Sequence, residues 1–380
     1  MNPIPMTCGT FLIMLVALSA MQPAWVQERE FDDVSGSFST LAKEEKPDKI
    51  DFVAVPLPMS NPTIGTGLAG ALMALYPREG EAPASNTIVG GFYTSSDSWG
   101  IGISQKNYLR EDRLRLNAAA AYADLKLDFW GIGNDAGDDD VFVGINQTGY
   151  ILKADLLWEI FDDLYLGPQF FLLYGETSAD TTLPGSGGPD DIVNATGDLT
   201  NIGLGFAMDY DTRDNPLNAT TGWFFEGDAL LYRKAWGSDR DYERYVLKVN
   251  NYLTVAENQV VAWQVSGCAV NGPAPFYQLC MFGASRIIRG YPVGRYQDKR
   301  MLAGQAEWRW MFRPRWGIVG FGGLGQVARN FSDFTSSKWL TSGGVGLRWM
   351  ASVENRVNLS VDYALGENDN YIYIYVGEAF

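Results

Sequence analysis

The segment RVNLSVDY, residues 356–363, alternates strictly between polar and apolar side chains. Successive side chains of a β-strand point to opposite faces, so a period of two predicts a strand with one polar and one apolar face. The polar positions are Arg356, Asn358, Ser360 and Asp362, and the apolar positions are Val357, Leu359, Val361 and Tyr363. The fold class then depends on how often this pattern recurs.

The same alternation is found in LKADLLWEI at 152–160, RYVLKVNNYL at 244–253 and LAGQAEWRW at 302–310. From Asp51 onward, alternating segments are separated by clusters of Gly, Asp, Asn or Pro, and they predict about sixteen strands. The strands are expected to begin near Asp51, Thr63, Asn86, Ser98, Asp112, Gly149, Asp163, Asp198, Gly222, Arg244, Asn258, Met301, Arg315, Lys338, Glu354 and Asn370. Residues 113–128 change face midway, which predicts a β-bulge.

Such strands could form a soluble sandwich or a membrane barrel, and the connections favour the barrel. No helical pattern separates the strands, and their apolar faces end in Trp, Tyr or Phe, as an interfacial aromatic girdle requires. Short connections alternate with long ones, as in outer-membrane barrels. The short ones are 161–163, 256–259 and 312–315, and the long ones are 131–149, 175–198 and 270–300. We therefore predict an all-β fold, a transmembrane antiparallel barrel of about sixteen strands.

Composition excludes several functions. The chain has no histidine, which removes histidine-based acid–base catalysis, His-ligated zinc and Ser-His-Asp chemistry. No nucleophile motif with a matching base is present either, so we expect no enzyme, no catalytic residue, no cofactor and no metal site. The net charge of −16 argues against a nucleic-acid partner, because phosphate binding needs a basic surface.

The N-terminus predicts export. Residues 11–20 form an apolar run of signal-peptide length, although no Lys or Arg precedes it. We expect a signal peptide at 1–24, a flexible periplasmic lead-in at 25–50 and the barrel at 51–380. No later segment is apolar for long enough to predict a membrane-spanning helix. Cleavage would remove Cys8 and leave Cys268 and Cys280, either as a disulfide or as two free thiols.

Four motifs, in order along the chain, carry a family resemblance. They are PLPMSNPTIGTGLAGALMALYP at 56–77, FWGIGND at 129–135, YDTRDNPLNATTGW at 210–223, and IRGY at 288–291 followed by AEWRW, GFGGLGQVA and the closing YVGEAF. Together they resemble the BamA/TamA surface-antigen superfamily of outer-membrane β-barrels, over about residues 51–380. The third motif has ordinary turn chemistry, and we expect it to be a periplasmic turn.

The resemblance implies that the loop carrying Arg289, Gly290 and Tyr291 folds back into the barrel lumen. Arg289 would then bind carboxylates on the inner wall, with Glu307 at the family's acidic position. The sequence departs from the family on the next strand, where Gly323 replaces an expected aspartate. A Cys268–Cys280 bond would tether the base of this loop. An exposed loop arginine is the alternative.

The last strand is expected to close the barrel against the first. Its tyrosines Tyr371, Tyr373 and Tyr375, with Gly377 and Phe380, are predicted to form the barrel seam and the signal that assembly machinery reads during the protein's own insertion. Ile372, Ile374, Val376 and Phe380 are expected to share one face.

The resemblance implies a role in outer-membrane protein assembly, insertion or translocation, in the bacterial cell outer membrane, with lipid or lipopolysaccharide around the barrel. The short lead-in leaves no room for periplasmic POTRA domains, so a separate periplasmic partner or a client protein is expected. The alternative is a passive channel or structural barrel with charged residues lining water. Those residues are Lys153, Asp155, Arg244, Lys248, Glu307, Arg309, Arg348, Arg356 and Asp362.

Overall fold

The computed structural model describes residues 50–61, 63–77, 84–139, 142–179, 197–216, 218–284, 287–353, 356–367 and 370–380. The predicted signal peptide and nearly all of the lead-in lie outside these residues. Within them, no helix has the length and apolar character needed to cross a bilayer.

The described residues form one closed barrel of sixteen antiparallel strands, and each strand pairs with its neighbours in the chain. A separate short pair, Cys280–Met281 with Gln297–Asp298, lies inside the connection between Asn271 and Arg300. The elements are β1 (Asp51–Asn61), β2 (Gly65–Leu75), β3 (Asn86–Thr94), β4 (Trp99–Leu109), β5 (Leu114–Phe129), α1 (Asn134–Asp138), β6 (Val143–Phe161), β7 (Leu164–Ala179), β8 (Gly197–Asp211), β9 (Gly222–Tyr232), β10 (Tyr242–Ala256), β11 (Gln259–Asn271), β12 (Cys280–Met281), β13 (Gln297–Asp298), β14 (Arg300–Arg313), β15 (Trp316–Ala328), β16 (Leu340–Ser352), β17 (Val357–Leu365) and β18 (Asn370–Val376).

The predicted strand starts agree closely with the structure, with one exception. Strand β6 begins at Val143 and not near Gly149. Its first residues pair with β5 and β7 outside the band of apolar, outward-facing side chains, which we call the apolar belt. Their outward side chains are therefore not apolar, and no alternation marks these residues as a strand. Arg356 precedes β17 and lies in the turn before it.

The two faces of the wall have opposite chemistry. Outward side chains are apolar and exposed, for example Leu68 at 68% and Val345 at 64%. Inward side chains at mid-height, such as Lys153, Asp155 and Gln169, are polar and buried. Outward aromatic residues gather where strands meet the short turns, as a membrane-interface girdle does, and they include Trp308, Trp310, Phe312 and Trp316.

The predicted bulge in β5 is wrong. The register of β5 is continuous against β4 from Leu114 to Asp124 and against β6 from Leu114 to Phe129. The apolar pattern changes face in the sequence because Leu125 and Phe129, near the long-loop end, point inward and are buried there. They belong to an apolar core that fills this half of the lumen.

This lumen core joins the wall to the connection between β11 and β14. Wall residues Phe171, Leu173 and Tyr232 pack in the same cluster as Phe282 and Tyr296 of the connection. Buried apolar side chains thus fill the long-loop half of the lumen, whereas buried charges occupy the half nearer the short turns.

The barrel wall is uneven in height and in pairing. Strand β6 has 19 residues, whereas β18 has 7. Strands β17 and β18 pair continuously from Leu359–Val376 to Leu365–Asn370. Between β1 and β18, in contrast, Ser60 with Ile374 is the one registered pair among the described residues. We call the β1–β18 junction the seam.

Candidate functional site

The connection between β11 and β14, residues 272–299, folds back into the lumen, and we call it the lumen loop. A disulfide joins Cys268 near the end of β11 to Cys280 in β12. Cys280 also pairs with Asp298 of β13, so both ends of the loop are held together at its base. The middle of the loop takes no part in the β12–β13 pairing. It extends across the lumen to the wall formed by β14–β18.

Arg289 lies at the centre of this contact and is fully buried. Its guanidinium bonds Glu307 of β14 at 2.6 Å and Asp362 of β17 at 2.5 Å. The same group stacks on the ring of Phe321 at 3.6 Å. A buried charge needs such partners, because an unpaired one would carry a desolvation cost of several kcal/mol.

Two further arginines extend these pairs. Arg309 bonds Glu307 at 2.6 Å, and its Nε lies 3.8 Å from Glu378. Arg348 bonds Glu378 at 2.7 Å and Asp362 at 2.5 Å. The result is a closed ring of three guanidinium and three carboxylate groups with no net charge, which we call the ion-pair ring. Its members in order are Arg289, Glu307, Arg309, Glu378, Arg348 and Asp362.

The ion-pair ring explains why Arg289 has two acidic partners although Gly323 stands where the family has an aspartate. Asp362, two strands further along, supplies the second acidic partner of Arg289. A Cβ on Gly323 would lie 2.8 Å from Cδ1 of Ile288 and 2.9 Å from Cβ of Gln305. The missing side chain therefore makes room for the residue next to Arg289. The sequence placed Asp362 on the inner face of its strand but gave no sign of which inner residue Arg289 would contact.

The loop tip continues from Arg289 into Gly290 and Tyr291. Gly290 has φ +106, and its N–H donates to the hydroxyl of Tyr373 at 2.9 Å. The Tyr291 hydroxyl donates to the carbonyl of Thr341 at 2.7 Å and accepts from the N–H of Glu367 at 3.2 Å. Burial raises the pKa of Tyr291 to about 12, so this hydroxyl stays protonated and able to donate.

The last strand turns its tyrosines inward. Tyr373 and Tyr375 are buried, and Tyr375 donates to Asp362 at 2.5 Å, whereas Tyr371 is half-buried. Ile372 and Ile374 face outward. These inward tyrosines place β18 in direct contact with the lumen loop and the ion-pair ring.

Phe380 differs from its prediction. The strand ends at Val376, and Gly377 takes φ +80, after which the chain bends into the mouth of the barrel. The ring of Phe380 lies 6.5 Å from that of Tyr252, which faces inward. Arg309 donates to the backbone oxygen of Phe380 at 2.8 Å. Phe380 therefore does not share the outward face with Ile372 and Ile374, because the turn at Gly377 carries it inside.

The motif at 210–223 also does more than connect two strands. Its turn reaches across the short-turn mouth, where Asp214 bonds Arg356 from the β16–β17 turn at 2.9 Å. Arg309 donates to the carbonyl of Ala219 at 3.2 Å, and Ala219 packs with Tyr252. This turn and the residues after β18 together cover the mouth beneath the ion-pair ring.

The remaining predicted inner residues divide into two groups. Lys153 lies 3.8 Å from Asp155 on β6, and Lys248 of β10 bonds Glu226 of β9 at 2.9 Å, so these four residues lie on strands outside the ion-pair ring. Arg356 lies at the short-turn mouth and not on the inner wall. Glu378 was missed by sequence reasoning, because its position lies beyond the alternating part of β18 and no periodicity marks it.

A sixteen-stranded antiparallel barrel with an apolar exterior and an arginine-bearing loop locked in its lumen defines a class of bacterial outer-membrane barrels. The Omp85 superfamily domain matches residues 91–380. The chain therefore belongs to the Omp85 superfamily, whose barrels are outer-membrane proteins.

Solved structures agree at the level of the fold. BamA from Haemophilus ducreyi lacking POTRA domains 1–3 is 16% identical, with a TM-score of 0.59, over 86% of this chain and 69% of that one. CdiB from Escherichia coli is 12% identical, with a TM-score of 0.58, over 95% and 75%. CdiB from Acinetobacter baumannii is 12% identical, with a TM-score of 0.52, over 86% and 59%. No curated protein matches the chain.

Proposed function

We propose that this protein acts in the bacterial outer membrane by helping other proteins to insert into that membrane or to cross it, and that the seam is its working site. The observation that carries the proposal is that β1 and β18 share a single registered pair within the part of the chain that the structure describes. Every other neighbouring pair in the barrel runs over many consecutive residues, as β17 and β18 do.

A weakly paired edge is suited to this work. Along most of its described length β1 has no register partner on β18, so an incoming strand could add to this edge. Strand addition supplies affinity through main-chain hydrogen bonds and needs little side-chain specificity, so clients of differing sequence could use one edge. We propose that no covalent catalysis is involved, in keeping with a sequence that has no histidine.

The lumen supports this function over the passive-channel alternative. A conducting pore needs a continuous aqueous path, as in large porins. Among the described residues, the lumen loop fills the long-loop half, and the turn with Ala219 covers the opposite mouth beside Phe380. A client would therefore engage the wall at the seam and would not thread through the centre. We propose that a separate periplasmic protein delivers such clients.

The test holds the seam closed with an engineered disulfide. Ser60 and Ile374 are register partners, so the double variant S60C/I374C can form a disulfide across the junction. The matched control is L116C/L156C, which bridges the fully paired β5 and β6 at another register pair. Each protein is reconstituted in lipid vesicles and supplied with a urea-unfolded outer-membrane barrel, and the folded, protease-protected fraction is measured over time.

We expect the locked seam to lower the insertion rate to that of empty vesicles and reductant to restore it. The control variant should match the wild type in both conditions, which also accounts for any effect of reductant on the native disulfide. Full activity with the seam locked would overturn the proposal.

A further inference from the structure

The outer wall over strands β14–β17 is concave. A groove of about 610 Å³ lies on it, and its lining is almost entirely apolar. Trp308, Gly320, Val345 and Tyr363 are register partners in turn across the four strands, so they form one row along the groove. Register partners share one face of a sheet, and the side chains of this row are exposed on the outside. The groove therefore faces the lipid.

The groove is open at its floor because Gly320 has no side chain. No atom lies within 4 Å of a Cβ built at this position. On one side the indole N–H of Trp308 donates to Gln259 at 3.0 Å, and the Trp308 ring stacks on Trp310 with centroids 5.8 Å apart. On the other side Val345 projects from the wall and is 64% exposed. The result is a fixed depression that a flexible hydrocarbon chain can fill.

A register shift brings a positive charge to the same face. Trp308 and Trp310 face outward, so strict alternation along β14 would turn Arg313 toward the lumen. The register shifts between Trp310 and Arg313, and Arg313 pairs with Trp316, which faces outward. Bulges re-aim side chains in this way. Arg313 is therefore exposed on the outer face, at the short-turn end of the wall.

A second arginine lies beside it in the β14–β15 turn. Arg315 donates to the carbonyls of Met350 and Ala351 at 3.0 and 3.1 Å, which holds its guanidinium at the end of β16. Among the residues that the structure describes, neither Arg313 nor Arg315 has an acidic partner within ion-pair distance. Two cations thus stand side by side without a carboxylate to neutralise them.

Other short turns of this acidic chain have the opposite charge. The turn at 162–163 consists of two aspartates, and the turn at 257–258 contains a glutamate. Short turns of such barrels face the periplasm, at the level of the phospholipid head groups of that leaflet. The charge at 313–315 is therefore complementary to an anionic head group, whereas the charge of the other two turns is not.

The arginines and the groove are spaced to suit a single lipid. Trp316, the register partner of Arg313, is separated from Gly320 by about 13 Å along β15, at a rise of about 3.3 Å per residue. One leaflet contributes about half of a hydrocarbon core that is about 30 Å thick. An acyl chain that begins beside Trp316 therefore reaches Gly320 within its own leaflet.

From these observations we propose that this face of the barrel binds one anionic phospholipid of the periplasmic leaflet. Arg313 and Arg315 bind its phosphate through charge-assisted hydrogen bonds, and one acyl chain lies in the groove over Gly320. The indole of Trp316 lies between them, at the interface where tryptophan is favoured. A zwitterionic head group would bring its own cation toward the two guanidinium groups, so a net negative head group is preferred.

The first test measures head-group preference. The purified protein in detergent is titrated with phosphatidylglycerol or with phosphatidylcholine of identical acyl chains, and native mass spectrometry gives the affinity for the first lipid bound. R313Q removes one charge of the site, and R313K keeps it. R110Q is the matched control, because it removes an exposed arginine from another short turn, the one between β4 and β5.

We expect the wild type to bind phosphatidylglycerol about tenfold more tightly than phosphatidylcholine, as one hydrogen bond to a charged group allows. R313Q should lose most of this preference, whereas R313K and R110Q should keep it. Equal affinity of the wild type for the two lipids would overturn the proposal. An unchanged preference in R313Q, or an equal loss in R110Q, would do the same.

The second test fills the groove. G320L places a side chain where the acyl chain would lie. G267L is the matched control, because no atom lies within 4 Å of a Cβ at Gly267 either, and its register partner Leu302 is exposed on the outer face of the wall. We expect G320L to bind both lipids about fivefold more weakly, since apolar contact with the tail is lost, and to keep the preference between them.

A G320L protein that binds both lipids as the wild type does would show that the head group alone is held, and would overturn the site as proposed. An equal loss in G267L would also overturn it. Neither test uses a client protein or an altered seam, so this site goes beyond the proposed function. A protein that inserts clients but does not distinguish the two lipids supports the proposed function and overturns the lipid site.

Discussion

Arg289 is buried between two carboxylates, and each of them already has a second arginine partner. Glu307 is shared with Arg309, and Asp362 is shared with Arg348. The planar guanidinium can bond two carboxylates in different directions at once, which a lysine ammonium on a flexible stem does less well. The geometry of the group therefore matters as well as its charge.

We predict that R289A lowers the free energy of unfolding by about 3–5 kcal/mol, the usual cost of breaking a buried ion pair. R289K should lose less, because it keeps one charge inside the ring. Urea unfolding of the folded barrel in detergent, followed by tryptophan fluorescence, measures both values. If R289K were as damaging as R289A, stacking on Phe321 and shape would matter more than charge.

A substitution at Gly323 tests whether the space beside Arg289 can hold a larger side chain. We predict that G323A costs about 1–3 kcal/mol of stability, because its methyl group would overlap Ile288 and Gln305. In an I288A background the cost should shrink, as expected for neighbours that share one space. G320A is the matched control, since no atom lies within 4 Å of a Cβ at Gly320. A similar loss for G320A and G323A would show that the effect belongs to the strand backbone.

The members of the ion-pair ring were only partly predictable from the sequence. Strict alternation put Glu307, Arg348 and Asp362 on inner faces, and the structure places all three in the ion-pair ring. Alternation says nothing about which inner residues meet, because that depends on strand order and on the path of the loop. Asp362 is 73 residues from Arg289 in the chain, and only closure of the barrel brings them together.

The lumen loop is tethered at its base by the Cys268–Cys280 bond. The bond closes a short stretch with a sequence separation of 12. Restricting the unfolded chain over such a stretch typically contributes about 3 kcal/mol.

We predict that C268S/C280S lowers the free energy of unfolding by about 3 kcal/mol. The wild type treated with reductant should approach the same value, and the double variant should not respond to reductant. Paired urea titrations with and without reductant test this. A double variant as stable as the untreated wild type would show that the native contacts of the loop, and not the bond, restrain it.

The strands themselves were predictable because membrane-facing segments must alternate over their whole apolar length. The prediction failed where that requirement ends. The first residues of β6 and the last residues of β5 lie beyond the apolar belt, and their inner faces pack on the lumen loop. Leu125, Phe129 and Ile145 are apolar for a reason that only the folded loop supplies.

The barrel is filled from both ends. The lumen loop and its apolar core occupy one half, and the turn of the 210–223 motif meets Phe380 at the other mouth. Sequence alone could not show this closure, because neither the turn at Gly377 nor the path of the 210–223 turn is marked by periodicity.

We predict that the purified protein in a planar bilayer passes far less current than an open barrel of this strand number. Shortening the lumen loop between Gly283 and Tyr296 should raise the steady conductance by about tenfold or more, since a sixteen-stranded wall can enclose an aqueous channel. Equal shortening of the exposed 329–339 connection is the control. Large steady currents from the intact protein would contradict this account of the lumen.

The unequal lengths of the strands affect the lipid around the barrel. Strand β6 has 19 residues and β18 has 7. The first six residues of β6, 143–148, lie beyond the apolar belt, so 13 of its residues remain against the 7 of β18, a difference of about 20 Å at a rise of about 3.3 Å per residue. A bilayer of uniform thickness cannot match both sides of such a wall, so elastic stress gathers beside the shortest strand. Phospholipids with shorter acyl tails would relieve that stress and should accumulate there, sorted by geometry without any head-group recognition.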